Sequence, residues 1–460
     1  MIVDRSRPPV PGVDPPFALP RRVLHQFDGG LRVWTVEHRA VPALFVLALL
    51  PVGAAADPPG QDGLAAFTAD LLDEATVVRD GLDLHEAVAR IGGELHTEVH
   101  QDATAISLLT LARHAREGLD LLAEIVATPR FHDDDVARVR DLRVSRVRQL
   151  RNVPSAVADR AFLQRLYRGH PYGHTVLGSE RSLATLTGDD VRRFHGQVAR
   201  WSDLTIIAVG DVGHDQLAEA VNEAFAPYRQ ALSLSEPDAI PVVLSSPSPV
   251  LEGSGRLVLV HRPGAPQSEL RVGSVAARRT TPDYHALVVL NTVLGGQFVS
   301  RINLNLRERR GLTYGARSSF DCRLVEGPFA VQASVQTDAT AVAVQEVLDE
   351  IRGISSDRPV NASELEQAKN AVTLGYARNF ETAEQIATAM ETIALYGLPV
   401  DHFDTYVADV LAVGAGDVTS AARRYLLPER QVVVVVGDRD RIGESLIALG
   451  LGDSEVVEID

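Results

Sequence analysis

The chain has 460 residues, 45% of them apolar and 23% charged, a globular composition that excludes a disordered or fibrous protein and suggests roughly two to four domains. Its formal net charge of −16 argues against a nucleic-acid partner, because binding phosphates requires a basic surface. A single cysteine, Cys322, rules out an internal disulfide and any all-cysteine metal site.

At the N-terminus, MIVDRSRPPVPGVDPPFALP lacks the basic start and apolar core of a secretory signal, so a cytoplasmic location is expected. The longest apolar run, 41–56, is interrupted by Pro42 and Pro51 and falls short of the ~20 residues of a membrane helix. It reads as a buried strand with its exit turn, and no membrane partner is expected. Next comes GLAAFTADLLDEAT, residues 63–76. Leu64, Phe67, Leu71, Leu72 and Ala75 fall at helical spacing and form one inward stripe. Ala66 and Asp70, four apart, are neighbours on another part of that surface, where a pair of metal ligands would sit, and Ala66 can ligate nothing. Asp70, Asp73 and Glu74 leave two readings open, a hard-cation site or a solvated acidic face.

His96-Thr-Glu-Val-His100 would chelate zinc on a helix. Its flanks, Gly92-Gly93 and 103–110, favour a strand instead, in which residues four apart are separated by ~13 Å, too far for one ion. Asp133-Asp134-Asp135 after His132 reads as a helix start, its carboxylates facing the positive end of the dipole. His170-Pro-Tyr-Gly-His174 reads as a loop joining two helices or as a ligand pair. There is no Gly-x-Ser-x-Gly elbow and no phosphate loop, so serine hydrolysis and nucleotide binding lack support. Further on, a helix is predicted from about Gly296 to Arg307, Arg309 and Arg310, with Gly311 as its left-handed cap and a strand from Leu312. Those cations either complement the helix dipole, or Arg307 and Tyr314 are brought together by the turn to donate hydrogen bonds to a peptide carbonyl.

The chain also repeats itself. Asp-Ala-Thr-Ala occurs at 102–105 and again at 338–341, each near an amphipathic segment, 115–126 and 342–351. Asp190-Val191 opens a helix before the strand 204–209 and the turn Gly210-Asp211, and Asp417-Val418 does the same before 431–436 and Gly437-Asp438. Between the copies lies Pro-, Ser- and Glu-rich text that reads as a linker. The predicted fold class is α+β, with two homologous domains at 1–230 and 255–460 facing each other across a linker at 231–254. Each is expected to be a mainly antiparallel sheet covered by helices.

Taken in order, Gly-Leu-Ala-x-Phe at 63–67, Gly-Gly-Glu-Leu at 92–95, His-Pro-Tyr-Gly at 170–173 and Leu-Arg-Glu-x-Arg-Gly-Leu-x-Tyr at 306–314 carry a likeness. Over essentially its whole length the chain resembles the M16 family of inverted zinc peptidases, the group of mitochondrial processing peptidase. Active members carry His-x-x-Glu-His, two zinc ligands and the glutamate that activates water. On this chain the first histidine falls on Ala66, the glutamate on Ala69 and the second histidine on Asp70, while Ser145 and Arg146 stand where a third, carboxylate ligand is expected. The resemblance therefore implies no catalytic residue and no metal here, and a homologous partner subunit whose intact His-x-x-Glu-His holds the zinc. It further implies that Arg307 and Tyr314 hold the peptide substrate near that partner's metal. The expectation is a noncatalytic, substrate-binding subunit of a heterodimeric peptidase, and the alternative is a structural or peptide-binding protein of the same fold.

Overall fold

The computed structural model describes residues 18–233, 245–247, 256–452 and 454–457. The N-terminal stretch read for a signal and most of the expected linker lie outside the described residues. Two six-stranded sheets organise the chain. The first contains β1 (Arg22–Gln26), β2 (Arg32–Glu37), β3 (Ala43–Leu50), β4 (Glu94–Val99), β5 (Thr104–Leu111) and β6 (Thr205–Gly210), in the order β1-β2-β6-β3-β5-β4. The second contains β7 (Leu257–His261), β8 (Gln267–Val275), β9 (Ala316–Phe320), β10 (Pro328–Gln336), β11 (Val432–Gly437) and β12 (Ser454–Val457), in the order β12-β7-β11-β8-β10-β9.

Five strands of each sheet follow the same path, β2-β6-β3-β5-β4 matching β7-β11-β8-β10-β9. Pairing is antiparallel except for β2 with β6 and for β7 with β11 and β12. The expected α+β fold, with two homologous and mainly antiparallel sheets, is thus present. One of its signposts is not equivalent between the copies. Asp102 to Ala105 leads into β5, whereas Asp338 to Ala341 follows β10 and opens the helix Thr340–Ser355. The shared tetrad is a coincidence of composition, while the strand order carries the repeat.

The central strands of both sheets are buried on both faces, which explains the unbroken apolar runs ALFVLALL of β3 and VVVVVG of β11. Leu44, Val46, Ala48 and Leu50 face one core, shared with the helices Ala115–Ala127 and His214–Phe225. Phe45, Leu47 and Leu49 face the other side, against Ile386, Met390 and Ile393. Those last residues sit on the helix Ala383–Tyr396, which belongs to the second half of the sequence. The reverse holds too: Phe162 and Leu166 of the helix Pro154–Leu166, in the first half, pack on Val258, Val260, Val432, Val434 and Val436 of the second sheet. Each half lends a helix to cover the other's sheet.

Polar contacts fasten the same joint. Tyr172 donates its hydroxyl proton to Asp102, whose other oxygen accepts the Leu324 amide at 3.0 Å. The Arg323 guanidinium lies 4.7 Å from the Tyr172 ring centre, and the Tyr167 hydroxyl donates to the Glu326 carbonyl at 3.0 Å. Among the described residues no helix is long and apolar enough to cross a membrane.

Two predictions follow from this packing. Replacing Phe162 with Ala should cost about 3–5 kcal/mol. Because the halves share helices, the guanidinium midpoint should fall equally by far-UV circular dichroism and by the fluorescence of Trp34 and Trp201, both on the first-half side. The second concerns His195, whose Nε2 donates to the Val126 carbonyl at 2.9 Å beside the Phe131 ring. Burial holds its pKa down from 6.5 to about 4. The unfolded chain therefore takes up a proton at this site before the folded chain does, and stability should fall as pH drops from 6.5 towards 4, by no more than about 3 kcal/mol. Urea melts across that window should show a shallower decline for H195Q, whose amide can still donate to Val126.

Candidate functional site

The segment that opens the family likeness forms α1 (Leu64–Asp70). Its N-terminus is capped from outside, with the Asp57 carboxylate accepting the Gly63 and Ala65 amides at 2.6 and 2.7 Å. Burial pushes the Asp57 pKa up to about 7, against the pull of His174 at 3.9 Å and of those two amides. Leu64, Phe67, Leu71, Leu72 and Ala75 are all buried, as the helical stripe requires. Ala66 and Ala69 are buried beside them.

Against α1 lies the long helix α2 (Asp133–Leu150). Its inward stripe is Val136, Val139, Arg143 and Val147, so a cation interrupts an otherwise apolar row. The Arg143 guanidinium pairs with Asp70 and also donates to the carbonyls of Ala66 at 3.2 Å and Leu177 at 3.3 Å. Ser145 and Arg146, expected at the third ligand position, are exposed and do not enter this contact. Arg143 is the residue that sequence reasoning missed, and its place on the valine stripe was the signal that could have found it.

Zinc does not fit these residues. Two of the three motif positions carry no donor atom, and a fixed guanidinium already neutralises the third. Among the described residues no three His, Cys, Asp or Glu side chains converge as a metal site. Nor is the acidic turn simply a solvated face: Glu74 pairs with Arg138 of α2, and burial raises the Asp73 carboxyl above its ordinary range.

The histidine pairs separate as well. His96 lies on the edge strand β4, whose exposure alternates, and His100 follows it with Nε2 3.4 Å from Glu98. His170 accepts the Tyr172 amide at 3.1 Å and contacts the Ser245 carbonyl, while His174 turns to Asp57. The loop reading holds for 170–174.

The second candidate is built differently from the sequence expectation. No helix begins at Gly296. The preceding helix, Tyr284–Leu294, ends at Gly295, whose carbonyl accepts the Ser318 amide of β9 at 2.9 Å. A Cβ at 295 would stand 2.5 Å from Ser318 Oγ, so this close approach needs glycine. The next helix starts at Arg301 and passes at once into a π-helical turn, Leu304–Arg309. Such turns are frequent at functional sites. Gly311, at φ +64°, closes it with the Leu312 amide bonded to the Leu306 carbonyl at 2.8 Å. The strand then begins at Ala316 rather than Leu312.

Asn303 holds the two sides of this loop, donating to the Phe298 carbonyl at 2.7 Å and accepting the Ala316 amide at 3.0 Å. Arg307 and Tyr314 consequently line one cleft of about 560 Å³, together with Phe298, Arg317, Gln332 and Ser334. The Arg307 guanidinium lies 4.4 Å from the Phe298 ring centre, a cation–π contact. Tyr314 is 91% exposed, an aromatic side chain left almost wholly in solvent. Chemically the cleft offers charged and phenolic donors.

Two family models match this architecture in tandem: residues 37–180 match Insulinase (Peptidase family M16), and residues 185–372 match Peptidase M16 inactive domain. The chain belongs to the M16 peptidase family. Among M16 relatives, uncharacterized zinc proteases of Mycobacterium bovis and Mycobacterium tuberculosis are 28% identical over 92% of this chain and 94% of their own length. A probable mitochondrial-processing peptidase subunit beta of Arabidopsis thaliana is 22% identical over 92% of this chain and 79% of its own. The same fold is seen in a peptidase M16 inactive domain from Pseudomonas fluorescens, with TM-score 0.82 and 22% identity over 91% of this chain and 98% of that one. A protease from Helicobacter pylori shares it with TM-score 0.83 and 20% identity, covering 91% of this chain and 100% of that one.

Removing the guanidinium should expose what it supports. Arg143→Met leaves Asp70 without its partner and removes the guanidinium donor from the Ala66, Val176 and Leu177 carbonyls, and urea unfolding should report a loss of about 2–4 kcal/mol. Elemental analysis should find no stoichiometric zinc in either the native chain or the variant.

Proposed function

We propose that this M16 chain is the noncatalytic, substrate-binding subunit of a heterodimeric, cytoplasmic zinc peptidase. The observation that carries the reading is the joint placement of Arg307 and Tyr314 in one cleft, with the tyrosine extended into solvent. A guanidinium and a phenol so placed can both donate to a peptide carbonyl, and the exposed ring moves onto a ligand without giving up packing. Phe298 beneath Arg307 limits where its charge can point. The contribution is positioning and electrostatic, with the bond chemistry left to a homologous partner whose His-x-x-Glu-His supplies zinc and general base.

The Arg143–Asp70 pair supports the same division of labour, since it gives α1 a built-in cation and leaves the helix no metal to bind. It would equally suit a scaffold of this fold with no peptidase partner. Tyr314 weighs against the scaffold reading, which offers no reason for a solvent-extended aromatic beside an arginine.

The test is reconstitution with an M16 chain that carries the intact zinc motif. Arg307→Ala and Tyr314→Phe should each lower turnover of a peptide substrate by about tenfold or more, the usual effect of losing a charge-stabilising donor. Size-exclusion chromatography should show assembly unchanged. Undiminished turnover in both variants would remove the role from these residues.

A further inference from the structure

The cleft that holds Arg307 and Tyr314 is cationic on a chain whose net charge is −16. Three arginines line it, Arg271, Arg307 and Arg317, against one carboxylate, Glu269. Arg271 is buried and fully engaged. Its Nε donates to Asp159 at 2.5 Å, its Nη1 to Glu269 at 3.3 Å and to the Leu270 carbonyl at 2.9 Å, and its Nη2 to the Ser155 carbonyl at 3.2 Å. Arg271 is therefore shared between Asp159 and the one acid in the wall and adds no unpaired charge to the cleft.

The other two arginines have no acid of the cleft wall as a partner. Among the described residues the one carboxylate within ion-pair distance of Arg307 is that of its chain neighbour Glu308, 3.3 Å away, which is not part of the cleft wall. Arg317 is exposed on β9 opposite Gln332, and its Nε and Nη2 both donate to the Gln332 amide oxygen, at 3.3 and 3.1 Å. No carboxylate pairs with Arg317 among the described residues. A neutral oxygen thus occupies the fork of a guanidinium that would bind a carboxylate about twice as strongly.

The outer edge of the strand that bears Arg317 is closed, its Ala316 and Ser318 amides held by Asn303 and by the Gly295 carbonyl, so a ligand meets the cleft through side chains. In its sheet β9 pairs with β10 on one side and stands last in the strand order. Because Arg317 and Gln332 share one wall of the cleft with Arg307 and Tyr314, a peptide lying in the cleft would bring a side chain within reach of that guanidinium.

Resting on the peptide-holding reading above, we propose that the cleft selects peptides with an aspartate or glutamate side chain beside the bond held by Arg307 and Tyr314. Arg317 receives that carboxylate in place of Gln332 and is the specificity-determining residue, while Arg307 and Tyr314 hold the backbone.

Fluorescence anisotropy on the full chain tests this with two fluorescein-labelled extended peptides of alanine and serine, one with two central glutamates and the other with glutamines in their place. The glutamate peptide should bind about tenfold more tightly at low salt, and the preference should shrink in about 0.5 M NaCl. Arg317→Gln should abolish the preference without weakening the glutamine peptide, and Arg317→Lys should retain part of it. Arg307→Ala should weaken both peptides alike. Equal binding of the two peptides to the native chain overturns the acid selection and leaves the holding role standing. Binding of neither overturns both, and a preference that survives Arg317→Gln overturns the assignment to Arg317.

Discussion

Each sheet of this molecule is closed on one side by a helix from the other half, and nearly everything else depends on that reciprocal cover. Val432, Val434 and Val436 would face water without Phe162 and Leu166, and Phe45, Leu47 and Leu49 would do so without Ile386 and Met390. Burial of this kind drives the two halves into one fixed arrangement. It also reaches the cleft: Asp159 and Ser155, which fix Arg271, belong to the borrowed helix Pro154–Leu166. The candidate binding site of the second half is therefore walled in part by the first.

The degenerate helix gives the complementary view of what M16 architecture needs when zinc chemistry is gone. α1 still packs through its apolar stripe and is still capped by Asp57. What changes is how the exposed carboxylate of Asp70 is balanced. A guanidinium anchored on three backbone carbonyls does this without any exchangeable ion, and its donors tie together α1, α2 and the loop at Val176 and Leu177. The planar fork of arginine suits such a multi-point role better than an ammonium would.

Local patterning made much of this legible. The stripe of α1, the strand character of the text around His96, the helix start at Asp133 and the helix at Asp190, which begins two residues earlier at Gly188, all rest on periodicity and capping, which act over a few residues. The likeness in ordered motifs supplied the fold. What escaped was set by distant contacts or by unusual backbone. Arg143 meets Asp70 only through tertiary packing, whereas the family likeness points to Ser145 and Arg146, which stay outside the contact. A π-helical turn has no distinct sequence period, and two glycines before it looked like the start of a helix rather than a close crossing of β9. The duplicated Asp-Ala-Thr-Ala misled because a tetrad is short enough to recur by chance.

In symmetry terms, the exchange of covering helices is the topology of a domain-swapped homodimer whose two protomers have been joined end to end. In a true homodimer every substitution appears twice, so a residue that suits one site is imposed on the other. Joining the copies lifts that constraint. One copy is then free to close its helix pair with an arginine while the other keeps an open, cationic cleft, and the swapped helices hold both outcomes in register.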